Sequence, residues 1–264
     1  MKLLPSPVSR RLILRSSAAF ALLIALNASV RAEAPFYENR LNDESGIELK
    51  NGATIGAQGS GVSGKPDDKA YVANASAATA GQPGPVAIIK NGALDAFTSD
   101  EATVTLWYKP NSEFKDAATI LNAFCGLFLW SAKEDQWNLR LDAANSNPDS
   151  KFATWMLSGK NDSWKATGQW TFVAFVWKAD HTWEYYLGTS VQPATSFYKG
   201  KRDTVGPITE RAPKTRTLGN TNNPKADRPF DGSIDDLRVY SKALSASDLE
   251  KIRKADLENE SPGL

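Results

Sequence analysis

The sequence predicts an all-β fold, two antiparallel sheets packed face to face, with one short helix at the C-terminus. Three observations carry this expectation. Most of the chain reads as short strands separated by turn residues, the pattern of a β-sandwich. Strand and helix patterns do not alternate, which argues against parallel-sheet enzymes of the Rossmann or barrel kind. The only convincing helix start stands at Ser245, near the end.

The strands are taken in order. Val86–Lys90 is rich in β-branched residues, and Ala102–Lys109 runs from an apolar start to a Lys-Pro turn. Gly126–Ser131 and Gln136–Asp142 are short apolar runs with polar ends. Trp170–Lys178 is apolar almost throughout, as expected of a central strand covered on both faces. Ala179-Asp180-His181-Thr182 forms the turn into Trp183–Leu187. Two stretches read as loops: Gly52 to Asp68, which carries five glycines, and Asn145 to Gly168, which is polar yet holds Phe152, Trp155 and Trp164.

The last strand, Gly232–Tyr240, is the richest in chemistry. Alternation places Asp235, Leu237 and Val239 on one face and Ile234, Asp236, Arg238 and Tyr240 on the other. With Leu237 and Val239 in the core, the Asp235 carboxylate sits at the rim of an apolar face and calls for a partner or a metal. Asp236 is expected at the surface, matched by Arg238 two residues on. Ser245 is then an N-cap, with Asp248 as the acidic member of a capping box. Leu244 and Leu249 have the spacing of a hydrophobic staple, and Leu249 and Ile252 form a thin apolar stripe.

Gly232-Ser-Ile-Asp-Asp-Leu-Arg-Val-Tyr240, followed by Lys-Ala-Leu-Ser245, resembles the terminal motif of laminin-G-like domains of the concanavalin A-like lectin/glucanase superfamily. Ala102-Thr-Val-Thr-Leu-Trp107-Tyr-Lys-Pro110 is similar to that family's early core strand. Gly168-Gln-Trp170 through Trp177, with Trp183-Glu-Tyr-Tyr-Leu-Gly188, is similar to its central hairpin. Together these segments span about Phe36 to Ile252. The resemblance implies a jelly-roll sandwich and says little of function, because lectins, adhesion modules, enzymes and structural domains share this fold.

The N-terminus reads as a signal peptide over residues 1–32, leaving a single domain over 33–264. Lys2, Arg10, Arg11 and Arg15 precede an apolar run, Ser17 to Val30, too short for a comfortable membrane span. Val30-Arg31-Ala32 offers a cleavage site after Ala32. Ser9-Arg10-Arg11-Leu12 is close to a twin-arginine signal, and a general secretory leader reads equally well. Either route makes the protein secreted, periplasmic or extracellular. Removing the five basic residues of the leader takes the net charge from +1 to −4. No basic cluster interleaves with aromatics, which argues against a nucleic-acid partner. The lone Cys125, in an apolar run, reads as a small buried hydrophobe and forms no internal disulfide.

Calcium is the expected cofactor. The resemblance places a metal between the terminal Asp motif and an acidic N-terminal loop, here Asp235 with Asp43 in Asn42-Asp43-Glu44-Ser45-Gly46. Ile47-Glu48 departs from the Asn-Gly often found after that Ser-Gly. The expected ligand is carbohydrate, stacked on loop aromatics with polar groups beside them: Trp155, Trp164, Asn161, Asp162 and His181. Trp107, Trp170 and Trp177 fall on strong strands and are expected in the core. Catalysis has no support. The Glu-x-Asp-x-x-Glu run of glucanases is missing, Glu184 stands alone, and His181 has no nucleophile motif near it. The sequence thus points to a non-catalytic recognition or adhesion module binding a glycan. The alternatives are a structural or protein-interaction domain of an extracellular complex, and a divergent glucanase or lyase.

Overall fold

The structure, a computed structural model, describes residues 34–75, 83–90, 92, 94, 97–112, 118–122, 128–131, 137–140, 167–201, 208–209, 216–220 and 228–264. Among these the strands are β1 (Tyr37–Asn39), β2 (Ile47–Lys50), β3 (Thr54–Ile55), β4 (Tyr71–Ala73), β5 (Val86–Ile89), β6 (Thr98–Ser99), β7 (Ala102–Pro110) and β8 (Leu121–Asn122). They continue as β9 (Phe128–Ser131), β10 (Trp137–Arg140), β11 (Thr171–Trp177), β12 (Thr182–Thr189), β13 (Thr195–Lys201), β14 (Ile208–Thr209), β15 (Arg216–Leu218) and β16 (Gly232–Tyr240). One helix, α1 (Ala246–Leu257), follows.

The larger antiparallel sheet runs β13-β12-β11-β7-β16-β4-β3, with β1 also paired to β16. A second sheet runs β2-β5-β15-β8, and β9–β10 and β6–β14 form short ladders. Ile47, Ala87, Ile89, Leu121 and Leu218 of the second sheet meet Val104, Leu106, Val173, Phe175 and Trp177 of the first in one core. The opposite face of the large sheet is covered too, because Trp107, Phe172, Ala174, Val176 and Tyr240 pack with Leu249 and Ile252 of α1. This is why β11 is apolar along its whole length: its even and odd residues each face a hydrophobic layer.

The final strand has the expected bounds, but not the expected alternation. Its pairing with β7 shifts register between Asp235 and Arg238. Asp236 takes the left-handed φ of 48°, as residues at β-bulges do. The extra residue reverses the parity, so Ile234 before the bulge and Leu237 and Val239 after it share the inter-sheet core. β4 pairs with Gly232–Ile234 ahead of the bulge, and β1 with Leu237–Val239 beyond it. Asp236, expected at the surface, is only 1% exposed.

The helix start follows the sequence closely. The Asp248 amide donates to Ser245 Oγ at 3.2 Å, and that hydroxyl donates to Asp248 Oδ2 at 2.6 Å. Leu249 and Ile252 are fully buried, with Leu244 packed beside them. The glycine-rich Gly52–Asp68 stretch is turn-rich as expected, but it is also tied down. Gly56 N donates to Ala70 O at 2.8 Å, and Ser63 N donates to the buried Asp68 carboxylate at 2.8 Å.

Candidate functional site

The paired aspartates of β16 anchor a buried polar network beneath α1. Arg238, wholly buried, donates to Glu38 at 2.8 Å, to Asp236 at 3.2 Å and to Asp256 of α1 at 2.6 Å. Arg40 adds a second contact to Asp236 at 3.2 Å, and Trp107 Nε1 donates to Asp256 at 2.8 Å. Burial pushes the Asp256 carboxyl well above its usual range, with Asp236 adding to the rise and Arg238 opposing it. Burial likewise raises Asp236, against the pull of Arg238 and Arg40.

Asp235 meets its need for partners differently. Its Oδ2 accepts from Val62 N at 2.8 Å and its Oδ1 from Asp236 N at 2.9 Å. The residue is fully buried, and burial, then Asp236 and Asp68, hold its carboxyl well above the ordinary value. It works as a strut that pins the glycine-rich loop to the last strand. Asp43, its expected companion, turns back on its own loop, where Oδ1 accepts from Ser45 N at 2.6 Å. Calcium takes six to eight oxygens. Among the described residues no three acidic, histidine or cysteine side chains converge to hold a metal ion. Both Asp235 oxygens thus accept from amides, and Asp43 Oδ1 accepts within its own loop.

A cleft of about 280 Å³ opens elsewhere, at the end of the large sheet formed by β11, β12 and β13. Its described lining is Thr171, Leu187–Thr189, Gln192, Pro193 and Thr195–Phe197, with no charged side chain among them. Leu187 and Phe197 pack on the inter-sheet core, so the cleft lies on that face of the sheet. Its rim, the β12–β13 hairpin tip, is held from behind by α1. Arg253 binds Glu250 through two 2.8 Å bonds and donates to Thr189 O at 2.5 Å, while Glu250 accepts from Ala194 N at 3.0 Å. The Arg253 hydrogen bonds hold the Glu250 carboxyl down to about 2, against a burial effect that would raise it. Within the tip, Thr189 Oγ1 accepts from Gln192 N at 2.9 Å. Gln192 and Thr195 are exposed.

Beside the cleft lies an aromatic series. Phe175 and Tyr185 are in contact at 5.2 Å, Tyr185 meets Trp183 edge-on at 6.2 Å, and Trp183 stacks on Tyr198 at 5.3 Å and 18°. No sequence motif marked Tyr198, which sits in a polar edge strand.

The remaining expected residues divide in two. His181 occupies the turn with φ 63° and stacks on Trp177 at 6.1 Å, at the far end of the β11–β12 hairpin from the cleft. Trp155, Trp164, Asn161 and Asp162 lie outside the described residues, as do Phe152, Cys125 and residues 1–32, which are expected to form a leader. Trp107 and Trp177 are core residues, and Trp170 packs against the helix-side layer with Lys109 Nζ 4.8 Å from its ring centroid. Glu184 is engaged rather than free. Burial works to raise its carboxyl, but Ser196, Tyr186 and Lys178 outweigh that and hold it below the usual range. Among the described residues no helix is long and apolar enough to cross a membrane.

Known structures share this architecture. The botulinum neurotoxin serotype G binding domain superposes with a TM-score of 0.53 at 12% identity, over 84% of this chain and 51% of that one. The binding domain of Paraclostridial Mosquitocidal Protein 1 gives 0.51 at 14% identity, over 79% and 47%. The chain thus spans about half the length of these toxin domains. Domain 4 of AbnA, an extracellular arabinanase of Geobacillus stearothermophilus solved with arabinotriose, gives 0.48 at 23% identity, over 81% and 93%. No curated protein sequence matches the chain. At such identities the two toxin-domain likenesses speak to fold alone. A laminin G-type family model, described as concanavalin A-like lectin/glucanases superfamily, matches residues 81–250, and the chain belongs to that superfamily.

Proposed function

We propose that the chain is an exported, non-catalytic recognition module that binds a neutral glycan in the cleft at the end of β11, β12 and β13. The cleft itself carries this reading. Its described lining pairs apolar surface from Leu187, Pro193 and Phe197 with hydroxyl and amide groups from Thr189, Gln192 and Thr195. A sugar ring presents the same mixture, C–H faces and a rim of hydroxyls, and such sites are mostly apolar with a few placed polar groups. The rim is organised before any ligand arrives, which lowers the entropic cost of binding. Export rests on the leader-like N-terminus.

Glycan-array screening followed by calorimetry tests the reading. The wild type should retain neutral glycans, and Gln192→Ala with Thr195→Ala should weaken them about tenfold, the sum of two lost hydrogen bonds near 0.7 kcal/mol each. Both residues are exposed, so melting should stay within about 2 °C of wild type. A wild-type protein that binds no glycan, or a double variant that binds as before, would refute the proposal and leave a protein-interaction role in its place.

A further inference from the structure

We infer that the binding surface continues from the cleft onto the Tyr198 ring and takes a neutral oligosaccharide rather than a single sugar; this rests on the glycan reading above. Register and face place the two features together. Thr195 lies opposite Leu187 and Tyr198 opposite Tyr185, with a bulge between Tyr185 and Tyr186. Leu187, Phe197 and Tyr185 all pack against the inter-sheet core, so the cleft and the Tyr198 ring share one face of the sheet. Their partners Leu187 and Tyr185 stand two residue steps apart, so the bulged span from Thr195 to Tyr198 covers roughly 7 Å, more than one sugar ring spans.

The ring is built as a platform. Its neighbours in the series are buried, Tyr185 at 4% and Trp183 at 6%, whereas Tyr198 is 37% exposed. Stacking on Trp183 at 5.3 Å covers one side of the ring. Gly200 makes that arrangement fit, because a Cβ there would stand 2.3 Å from Trp183 Cζ2. An aromatic ring backed by a second aromatic and open to solvent suits the C–H face of a sugar, as an apolar body with polar neighbours. The charge distribution favours a neutral chain. By strand alternation Lys199 and Lys201 point away from the Tyr198 face, and Lys199 is paired in register with Glu184.

The test is calorimetry of the protein with its leader removed against cello-, malto- and xylo-oligosaccharides of one to six residues. Wild-type affinity for at least one series should rise about tenfold or more between the monosaccharide and the trisaccharide. Tyr198→Ala should flatten that rise while leaving monosaccharide affinity unchanged, and Tyr198→Phe should preserve it, since the ring and not the hydroxyl does the stacking. Thermal melts of both variants confirm folding. If wild type binds but gains nothing with length, or if Tyr198→Ala keeps the full gain, the extension is overturned while the cleft stands. If wild type binds no member of any series, the cleft reading falls and the extension with it.

Discussion

Replacing Arg238 with methionine should be among the most damaging single changes to this domain. The guanidinium is fully buried and bonded to three carboxylates, and these differ in what they can fall back on. The Glu38 side chain is 36% exposed and can rehydrate. Asp236 keeps its 3.2 Å contact with Arg40. Asp256, with a side chain 0% exposed, keeps only the Trp107 N–H. Removing one partner of a buried ion pair costs about 3–5 kcal/mol, because the other charge is left uncompensated. Methionine fills much of the vacated volume, so little is added for a cavity. Against a total stability of about 5–15 kcal/mol this is a large fraction. At about 2–4 °C per kcal/mol for a domain of this size, melting should fall by roughly 6–20 °C near pH 7.5. The pH dependence has a definite sign. A carboxyl whose folded pKa is raised contributes stability that is full below its unfolded value near 3.9 and lost as pH rises through the folded one. Losing Arg238 raises Asp256 and Asp236 further, so the deficit should shrink between pH 7.5 and pH 5. Thermal and urea melts at the two pH values read both effects. A variant within about 2 °C of wild type at pH 7.5, or a deficit that grows at pH 5, would refute the reasoning.

Glu250→Gln should release the β12–β13 hairpin tip by breaking its two-bond pairing with Arg253. Faster amide exchange at residues 189–194 and a stability loss of about 2 kcal/mol are expected, and unchanged exchange would count against the clamp. Because Glu250 is held near 2, its contribution is present above about 4.5 and lost only as pH falls through 2, so protection of the tip amides, measured against their intrinsic exchange rates, should not change between pH 7 and 5. Millimolar calcium or a chelator should shift melting by no more than about 1 °C, since a ligand that binds only the folded state would raise it. A larger rise with calcium would show that Asp235 serves a cation and not the Val62 and Asp236 amides.

The parts of this molecule legible in the sequence are those governed by local rules. The apolar run of β11, the bounds of β16 and the Ser245 cap depend on residues within a turn or two of one another. The bulge at Asp235–Asp236 was illegible because an inserted residue leaves the spacing pattern looking regular while reversing which side chains face the core. That reversal is why Asp236 reads as a surface residue yet lies in the buried network with Arg238. Strands β1 to β4 have only two to four residues each, too few to show a period. The cleft has no motif, since its lining comes from β11, β12, β13 and a hairpin tip positioned by a helix some sixty residues downstream. Tyr198 was missed for a related reason. The exposed edge strand Thr195–Lys201 lacks an apolar alternation, whereas Trp155, Trp164 and His181 are aromatic rings in polar loops and stand out from their neighbours.

Amide chemical-shift mapping during titration with the best-binding neutral oligosaccharide tests recognition at this cleft most directly. Shifts should concentrate at Gly188–Thr195 and extend to Tyr198, with Asp235, Asp43 and the His181 turn unmoved. Shifts centred on the Asp43 and Asp235 loops, or on the His181 turn with Gly188–Thr195 silent, would contradict it.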